Sequence, residues 1–158
     1  MTRLRGLLAA TLFAAVISAG AGAVDFRWTS GFGQGVSSAQ VLNQAGSIVQ
    51  FSCNSGGLPP IAPSLRIEIR GKPLPGAKLY QFVIDGRNHA VSLTDGWLTA
   101  QVRFEVNALM MIADALVQSN AQGFVVEVPE ARVAERFSLL NVRDALGPRA
   151  GATLAECR

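Results

Sequence analysis

The side chains best suited to acid and base chemistry in this sequence are one histidine and three glutamates. His89 is the only histidine, so any Ser-His-Asp triad, Cys-His pair or multi-histidine metal site must include it. It follows the turn-forming run Asp85-Gly86-Arg87-Asn88, where a solvated histidine is expected. Glu127, Glu130 and Glu135 lie close together in sequence, and paired carboxylates can act as acid and base without histidine. A small carboxylate-dependent hydrolase is therefore one hypothesis.

The sequence lacks the short motifs that usually mark an enzyme. It contains no H-E-x-x-H, no C-x-x-C and no G-x-S-x-G. The glycine cluster Gly31–Gly35 resembles a phosphate loop, but no G-K-[ST] follows it, so we predict a flexible turn there. The three glutamates surround an ordinary hairpin turn, where solvated acidic side chains are common. We therefore predict no catalytic residue, no cofactor, no cofactor-binding residue and no metal ligand.

The N-terminal segment has the pattern of a cleavable secretory signal. Arg3 and Arg5 precede an uncharged apolar run, and Ala21-Gly22-Ala23 has the small-x-small pattern that signal peptidase accepts. The apolar run, Leu7–Ser18, is shorter than the roughly 20 residues that span a bilayer, so a retained membrane anchor is the less favoured alternative. We predict that residues 1–23 are removed and that the protein is periplasmic or secreted, with no transmembrane segment after cleavage.

Removal of the signal changes the charge of the chain. Arg3 and Arg5 leave with it, so 12 of the 14 basic residues remain against 11 acidic ones. The mature chain is nearly neutral, although the full sequence has a pI of about 9.4. The remaining basic residues are not clustered, so there is no electrostatic footprint for nucleic acid or anionic lipid. We expect an unknown protein or envelope component as partner, no nucleic acid, and leave the oligomeric state open.

The two cysteines predict a disulfide. Residues 24–158 form a mature chain of 135 residues, which fits one globular domain with its own core. Cys53 and Cys157 both lie in it, and an even pair in an exported protein favours a bridge. This bridge would close a loop of about 100 residues, for which the chain-entropy model gives up to about 4.7 kcal/mol. A catalytic or metal-binding thiol is the alternative.

Alternating apolar residues predict that most of the domain is an antiparallel sheet. The run Ser64–Arg70 alternates most clearly, and its Arg66-Glu68-Arg70 row either binds an acidic ligand or is simply solvated, which we favour. Asp-Gly pairs predict two tight turns and hence a three-stranded meander from Tyr80 to Phe104. No single period fits Val36–Asn43. Further strands are predicted over Asp25–Ser30, Val49–Cys53, Gly123–Val128 and Arg132–Leu140.

One amphipathic helix is predicted over Val106–Gln118, with Asn107 as its cap. The Met110-Met111 pair is of the kind found on adaptable binding surfaces, but we favour a core role for it. A short helix is predicted after Asn141, with Asp144 able to reach back to the first turn, and a last helical turn over Ala152–Cys157. The apolar face of the long helix comprises Leu109, Met110, Ala113, Leu116 and Val117.

Together these elements predict a mainly β (α+β) fold, an antiparallel sheet or sandwich with one packed amphipathic helix and a short C-terminal helical turn. Trp28, the strand ending in Cys53, Phe137-Ser138-Leu139, Ala145-Leu146 and the near-terminal Cys157 form a pattern along most of the mature chain. On this pattern the chain resembles the invasion-associated locus B family of small exported proteobacterial proteins. The resemblance implies a periplasmic or surface-associated β-rich protein and carries over no catalytic residue.

The function expected from the sequence is that of a non-enzymatic periplasmic or secreted binding or accessory protein of unknown ligand. Compartment, size and disulfide use also suit an inhibitor of a cell-wall hydrolase, similar to the small periplasmic lysozyme inhibitors. No stretch of the sequence matches their inhibitory loop. The carboxylate-dependent hydrolase is the remaining alternative.

Overall fold

Nine strands and two helices form the part of the chain that the computed structural model describes, residues 26–54 and 62–147. A short 3₁₀ turn, Pro129–Ala131, joins the last two strands. The predicted signal peptide, the predicted Ala152–Cys157 turn and Cys157 lie outside the described residues. The elements are β1 Thr29–Gly33, β2 Val36–Leu42, β3 Ile48–Asn54, β4 Ser64–Glu68, β5 Ala77–Ile84, β6 Arg87–Thr94, β7 Trp97–Thr99, α1 Arg103–Gln118, β8 Gly123–Val128, β9 Val133–Ser138 and α2 Val142–Leu146.

All nine strands belong to one antiparallel sheet in the order β1-β2-β3-β4-β7-β6-β5-β8-β9. The turns Asp85-Gly86 and Asp95-Gly96 have positive φ at both residues, which gives the backbone twist that tight hairpins favour. The predicted meander is confirmed as β5-β6-β7, and so is the mainly β (α+β) fold class. Gly96 has no substitute in its turn, because a Cβ there would collide with the Ile67 carbonyl oxygen on β4.

One face of the sheet carries the core, because alternate residues of each strand point to the same side. We call it the inner face and its opposite the outer face. Trp28, just before β1, donates its backbone N–H to the Leu140 carbonyl (2.9 Å) and its indole N–H to the Ser138 carbonyl (3.0 Å). Asn141 donates its side-chain amide to the Trp28 carbonyl (2.9 Å). The sheet therefore curls until the segments flanking its first and last strands meet.

The centre of the core is an aromatic cluster around Phe124 and Trp28. The Phe124 ring lies 5.3 Å from Phe137, 6.0 Å from Phe82 and 6.3 Å from Trp28 between ring centroids. Trp28 also lies 6.2 Å from Phe51 on β3. Because these rings come from β3, β5, β8 and β9, Trp28 packs between the two ends of the curled sheet. Such ring pairs contribute about 0.5–1.5 kcal/mol each beyond the area they bury.

Helix α1 starts earlier than predicted. The alternation that suggested a strand as far as Phe104 ends at Thr99, and Asn107 does not cap the helix. Glu105 does so from inside the first turn, since its carboxylate accepts the backbone N–H of Gln101 (2.8 Å) and of Val102 (3.3 Å). The buried residues of α1 are Leu109, Ile112, Ala113 and Leu116. All but Ile112 belong to the predicted apolar face.

The N-terminal strands also differ from the prediction. The residues Phe26–Trp28 are irregular, and β1 begins only at Thr29. The predicted turn at Gly31–Gly35 is wrong for its first half, because Gly31 and Gly33 pair with Ser38 and Val36 in the sheet. Only Gln34 and Gly35 form the turn. Where no period fitted the sequence, the chain forms β2, with a small residue, Ala39, on its buried side.

The short helix α2 forms where it was predicted, but the side chain of Asn141 does not cap it. Asn141 adopts the left-handed conformation with φ 65° and makes no side-chain hydrogen bond to the helix. Its side chain is directed instead to the Trp28 carbonyl. The residue thus ties α2 to the start of the sheet rather than satisfying the first turn of the helix.

Candidate functional site

The three glutamates do not form a catalytic cluster. Glu127 lies opposite Ala134, and Glu135 lies opposite Val126, so the two carboxylates leave the β8–β9 hairpin on opposite faces of the sheet. Glu130, in the turn between them, lies 3.5 Å from the Lys78 ammonium. The structure therefore separates the acid and base pair that sequence proximity suggested.

Glu135 is buried, so its predicted solvated position is wrong. Only 5% of the residue is exposed, at one side of an open cleft of about 600 Å³. One carboxylate oxygen accepts the Asn43 side-chain amide (2.8 Å), and the other accepts the Arg70 guanidinium (3.1 Å). The side-chain oxygen of Asn43 in turn accepts the backbone N–H of Ala45 and of Ser47. With both oxygens engaged, Glu135 ties β9 to the β2–β3 turn and to the end of β4.

His89 lines a second cleft, of about 510 Å³, between α1 and the β5–β6 hairpin. His89 lies within β6, two residues after the strand begins at Arg87, and it is partly buried. Its predicted solvated position in a turn is therefore wrong. Asp85 and Asp114 line the same cleft, but Asp85 already accepts the Ser119 hydroxyl (2.9 Å). No group of three His, Cys, Asp or Glu side chains within residues 26–54 and 62–147 is placed to hold a metal ion.

The predicted charged row on β4 is shorter than expected. Arg66 and Glu68 form an ion pair with each other on the outer face. Arg70 lies beyond the strand in a left-handed conformation, and its side chain contacts Glu135 instead. The row is therefore internally neutralised and offers no cluster of free cations to an acidic ligand.

The methionine pair is divided between core and solvent. Met110 is partly buried and packs against the core, as predicted. Met111 is 62% exposed, so the core role predicted for it is wrong. It shares the exposed side of α1 with Phe104, seven residues earlier, which is 81% exposed.

Cys53 occupies the buried inner face of β3, as predicted, with 1% of its surface exposed. It lies opposite Ser37 of β2. Because Cys157 lies outside the described residues, the pairing of the two cysteines stays a prediction.

A different surface emerges on the outer face of β1, β2, β3, β4 and β7. Strand pairing aligns polar side chains there in two rows that run across the strands. Neighbouring strands are about 4.8 Å apart, so β2, β3, β4 and β7 each add one side chain to each row at about that interval, whereas β1 adds a side chain to the first row only, because Gly31 occupies its place in the second. We call this surface the neutral face; its first row is Thr29, Gln40, Gln50, Arg66 and Trp97, and its second row is Ser38, Ser52, Ser64 and Thr99.

Hydrogen bonds along the strands order the side chains of the neutral face. Trp97 is 45% exposed and donates its indole N–H to the Thr99 hydroxyl (2.9 Å), two residues along on the same side of β7. Gln50 donates its amide to the Ser52 hydroxyl (3.3 Å) in the same relation on β3. The single cation, Arg66, is paired with Glu68. Apart from Ser64, which is buried, the two rows present hydroxyls, amides and one aromatic ring with almost no net charge, and the exposed Leu42 borders them on β2.

The sequence holds a signal for this surface that apolar periodicity does not detect. No charged residue lies between Arg27 and Arg66, although charged residues make up 16% of the chain. The strands β1, β2 and β3 all fall within this interval. An ordinary solvated sheet face carries Lys, Arg, Glu or Asp, and their absence leaves the alternation of apolar residues unchanged.

Comparison with known proteins places the chain in a family. A family model described as YfjT matches residues 26–146. The chain belongs to the YfjT family. The YfjT match runs from just before β1 to the end of α2, so it includes the whole neutral face and the Glu135 network. No curated protein and no solved structure matches the chain.

The resemblance to the invasion-associated locus B family stays a prediction beside this YfjT match. Cys157 and the predicted signal segment both lie outside the matched residues. Neither α1 nor α2, the helices of the described ranges, is long and apolar enough to cross a membrane.

Proposed function

We propose that this YfjT protein is an exported, non-enzymatic binding protein of the cell envelope whose neutral face holds an uncharged polar ligand. The observation that carries the proposal is the neutral face itself, an ordered array of hydroxyl, amide and indole groups on five strands that lack free charge. A rigid sheet is a good support for such an array, because the strands fix the spacing of the side chains.

The distribution of titratable groups supports binding rather than catalysis. General acid–base chemistry requires groups that converge on one reacting atom. Glu127 and Glu135 leave opposite faces of the sheet, and the Glu135 oxygens are taken by Asn43 and Arg70. His89 lies at a different cleft, beside α1. Inhibition of a cell-wall hydrolase stays a prediction from the sequence. Adding the purified protein to a lysozyme turnover assay tests it.

The lack of charge determines the kind of ligand. A charged ligand loses strong hydration when it binds, and an opposite charge on the protein is a major source of compensation. Arg66 is occupied by Glu68, so a phosphate or carboxylate group would find no free cation on the neutral face. Nucleic acids are disfavoured for the same reason, since Lys and Arg contacts to phosphate dominate their binding. An uncharged ligand has no formal charge to desolvate, and the polar side chains of the face can replace its hydrogen bonds to water.

Export is supported by the segment of residues 1–23, with its basic start, apolar middle and small-x-small end. The proposal includes a disulfide between Cys53 and Cys157, which suits an oxidising compartment. Mass spectrometry of the protein recovered from cells tests both parts. The expected mass is that of a chain beginning after Ala23 and lighter by two hydrogens than the reduced form; a retained N-terminus or two free thiols would contradict it.

Co-sedimentation of the purified protein with an isolated envelope fraction tests the binding function. Trp97→Ala should weaken retention about tenfold, the equivalent of about 1.4 kcal/mol for one exposed aromatic contact. Phe104→Ala is the matched control, because Phe104 is exposed but lies on α1, away from the neutral face. Equal loss in both variants, or no loss in Trp97→Ala, would exclude the neutral face as the binding surface.

A further inference from the structure

We infer that the ligand of the neutral face is an uncharged polysaccharide that lies across the strands, along the two polar rows. This inference rests on the proposed function and adds to it the chemical class and direction of the ligand. Three features of the surface carry it: the chemistry of the rows, the position of Trp97, and the location of the rows on the outside of the curled sheet.

The rows match the hydrogen-bonding character of a sugar chain. Hydroxyl and amide side chains both donate and accept hydrogen bonds, as sugar hydroxyls do, so either partner can fill either role. Gln40 and Gln50 lie side by side in the first row, and Ser38 and Ser52 lie side by side in the second. A chain of hydroxyl-bearing rings that crosses β2 and β3 therefore meets two polar groups on each strand.

Trp97 supplies the apolar part of the recognition. The indole lies at the β7 end of the first row, opposite Arg66. Its hydrogen bond to Thr99 fixes the ring before a ligand arrives, which reduces the entropy lost on binding. One side of a sugar ring is lined by C–H groups and carries little charge, so it can pack on the negative face of the indole. Charged polymers gain nothing comparable from this surface.

The position of the rows on the outside of the curled sheet favours a polymer over a small molecule or a peptide. Small ligands bind in concave pockets, and the clefts lined by Glu135, by Arg143 and by His89 include no residue of either row. An extended peptide binds by adding a strand to a sheet edge. The edge strand β1 contributes only Thr29 to the rows, and β2, β3, β4 and β7 each have a strand on both sides, so a peptide at the β1 edge would leave most of the rows uncovered. A polymer instead gathers many weak contacts along its length, and this needs no pocket.

Affinity electrophoresis of the purified full-length protein tests the inference. The gels contain one soluble polymer each: dextran, a mixed-linkage β-glucan or mannan as neutral polysaccharides, and alginate as an anionic one. Sedimentation with vesicles that contain anionic phospholipid tests the lipid alternative. The expected result is retardation by at least one neutral polysaccharide and none by alginate or vesicles.

A pair of variants locates the binding. The double variant Gln40→Ala/Gln50→Ala removes both amides of the first row and should abolish at least nine-tenths of the retardation. Gln81→Ala is the matched control, since Gln81 is a partly buried glutamine on the outer face of β5, outside the neutral face. Circular dichroism and urea unfolding confirm that each variant is folded.

The outcomes separate the two proposals. If Trp97→Ala loses envelope binding but no neutral polysaccharide retards the wild-type protein, the polysaccharide assignment is overturned and the binding function stands. Retardation by alginate that equals that by neutral polymers overturns the assignment as well, as does equal loss in the double variant and Gln81→Ala. If Trp97→Ala leaves envelope binding unchanged, the proposed function itself fails.

Discussion

Glu135 shows at the scale of one residue how the two ends of the sheet are held together. Its carboxylate joins Asn43, after β2, to Arg70, after β4, and its own strand is the last of the sheet. The buried partner matters more than the charged one. Arg70 has 74% of its side chain exposed, so solvent screens its share of the interaction, whereas the Asn43 amide is buried.

Glu135→Ala should destabilise the protein by about 2 kcal/mol, because it leaves the buried Asn43 amide without an acceptor. Glu135→Gln keeps one acceptor oxygen for Asn43 and should cost less than half as much. Urea unfolding followed by circular dichroism measures both. Equal destabilisation by the two variants would show that the ion pair with Arg70, and not the bond to Asn43, carries the stabilisation.

Tyr80 is a second residue whose burial has a measurable consequence. Its side chain is fully buried, and its hydroxyl has no hydrogen-bond partner in the described part of the chain. Burial raises the pKa of the Tyr80 hydroxyl, because the phenolate would lose its hydration. An unpartnered buried hydroxyl also costs free energy in the native state at every pH.

Tyr80→Phe should therefore stabilise the protein by about 1 kcal/mol at neutral pH. In the wild-type protein the unfolded tyrosine ionises near its ordinary pKa of about 10, while the native one stays protonated to higher pH. Stability should thus be complete below that pH and fall above it, and Tyr80→Phe should lessen the fall.

Phenolate absorbance reports on Tyr80 alone, since it is the only tyrosine of the chain. The native protein should show no phenolate signal at a pH where the urea-unfolded protein is fully ionised. Ionisation of the native protein at the ordinary pKa would show that the hydroxyl reaches solvent.

Among the elements, helix α1 has an N-terminus that is only partly capped. Val102 is the N-cap residue, with an extended backbone at φ −114° and ψ 153°, and its side chain makes no capping hydrogen bond. Glu105 at the third helical position already accepts the Val102 backbone N–H. One hydrogen bond of a capping box is therefore present. The other would come from a side-chain acceptor at position 102, where the extended backbone suits an N-cap residue.

Val102→Ser should complete the capping box and stabilise the protein by about 1 kcal/mol. Val102 is 57% exposed, so little apolar burial is lost in exchange. Glu105→Ala should destabilise by a similar amount, because two backbone N–H groups lose their acceptor. Thermal unfolding midpoints measure both changes. No gain in Val102→Ser would mean that the first turn of α1 frays in solution and is not limited by its cap.

The elements differ in how far the sequence predicts them, for physical reasons. Strands such as β4 and β5 are predictable, because alternating burial leaves a period of two in the residue types. The start of α1 is not, since Val102 and Phe104 continue that alternation although neither is buried. The alternation along β9 predicts that Glu135 points to the inner face. Its burial is not predictable, because its partners Asn43 and Arg70 are distant in sequence and only the fold brings them near.

The neutral face belongs to the scale of the whole molecule, because five strands that are not all consecutive contribute to it. Its lack of charge on β1 to β3 can be found in the sequence, but Trp97 joins those strands only through the pairing of β4 with β7. The curled sheet buries its inner face on α1 and the aromatic cluster. The outer face is therefore the side of the sheet that a ligand can reach. Because the neutral face lacks free charge, adding a charge there tests its role in binding.

A single negative charge placed on the neutral face measures whether binding depends on the absence of charge there. Ser52→Asp puts a carboxylate in the second row, and Ser92→Asp makes the same change on the outer face of β6, beyond the neutral face. Retention of both variants on the isolated envelope fraction is compared with that of the wild-type protein. We predict that Ser52→Asp weakens retention at least tenfold and that Ser92→Asp leaves it unchanged. Equal retention of the two variants would contradict the assignment of the binding surface to the neutral face.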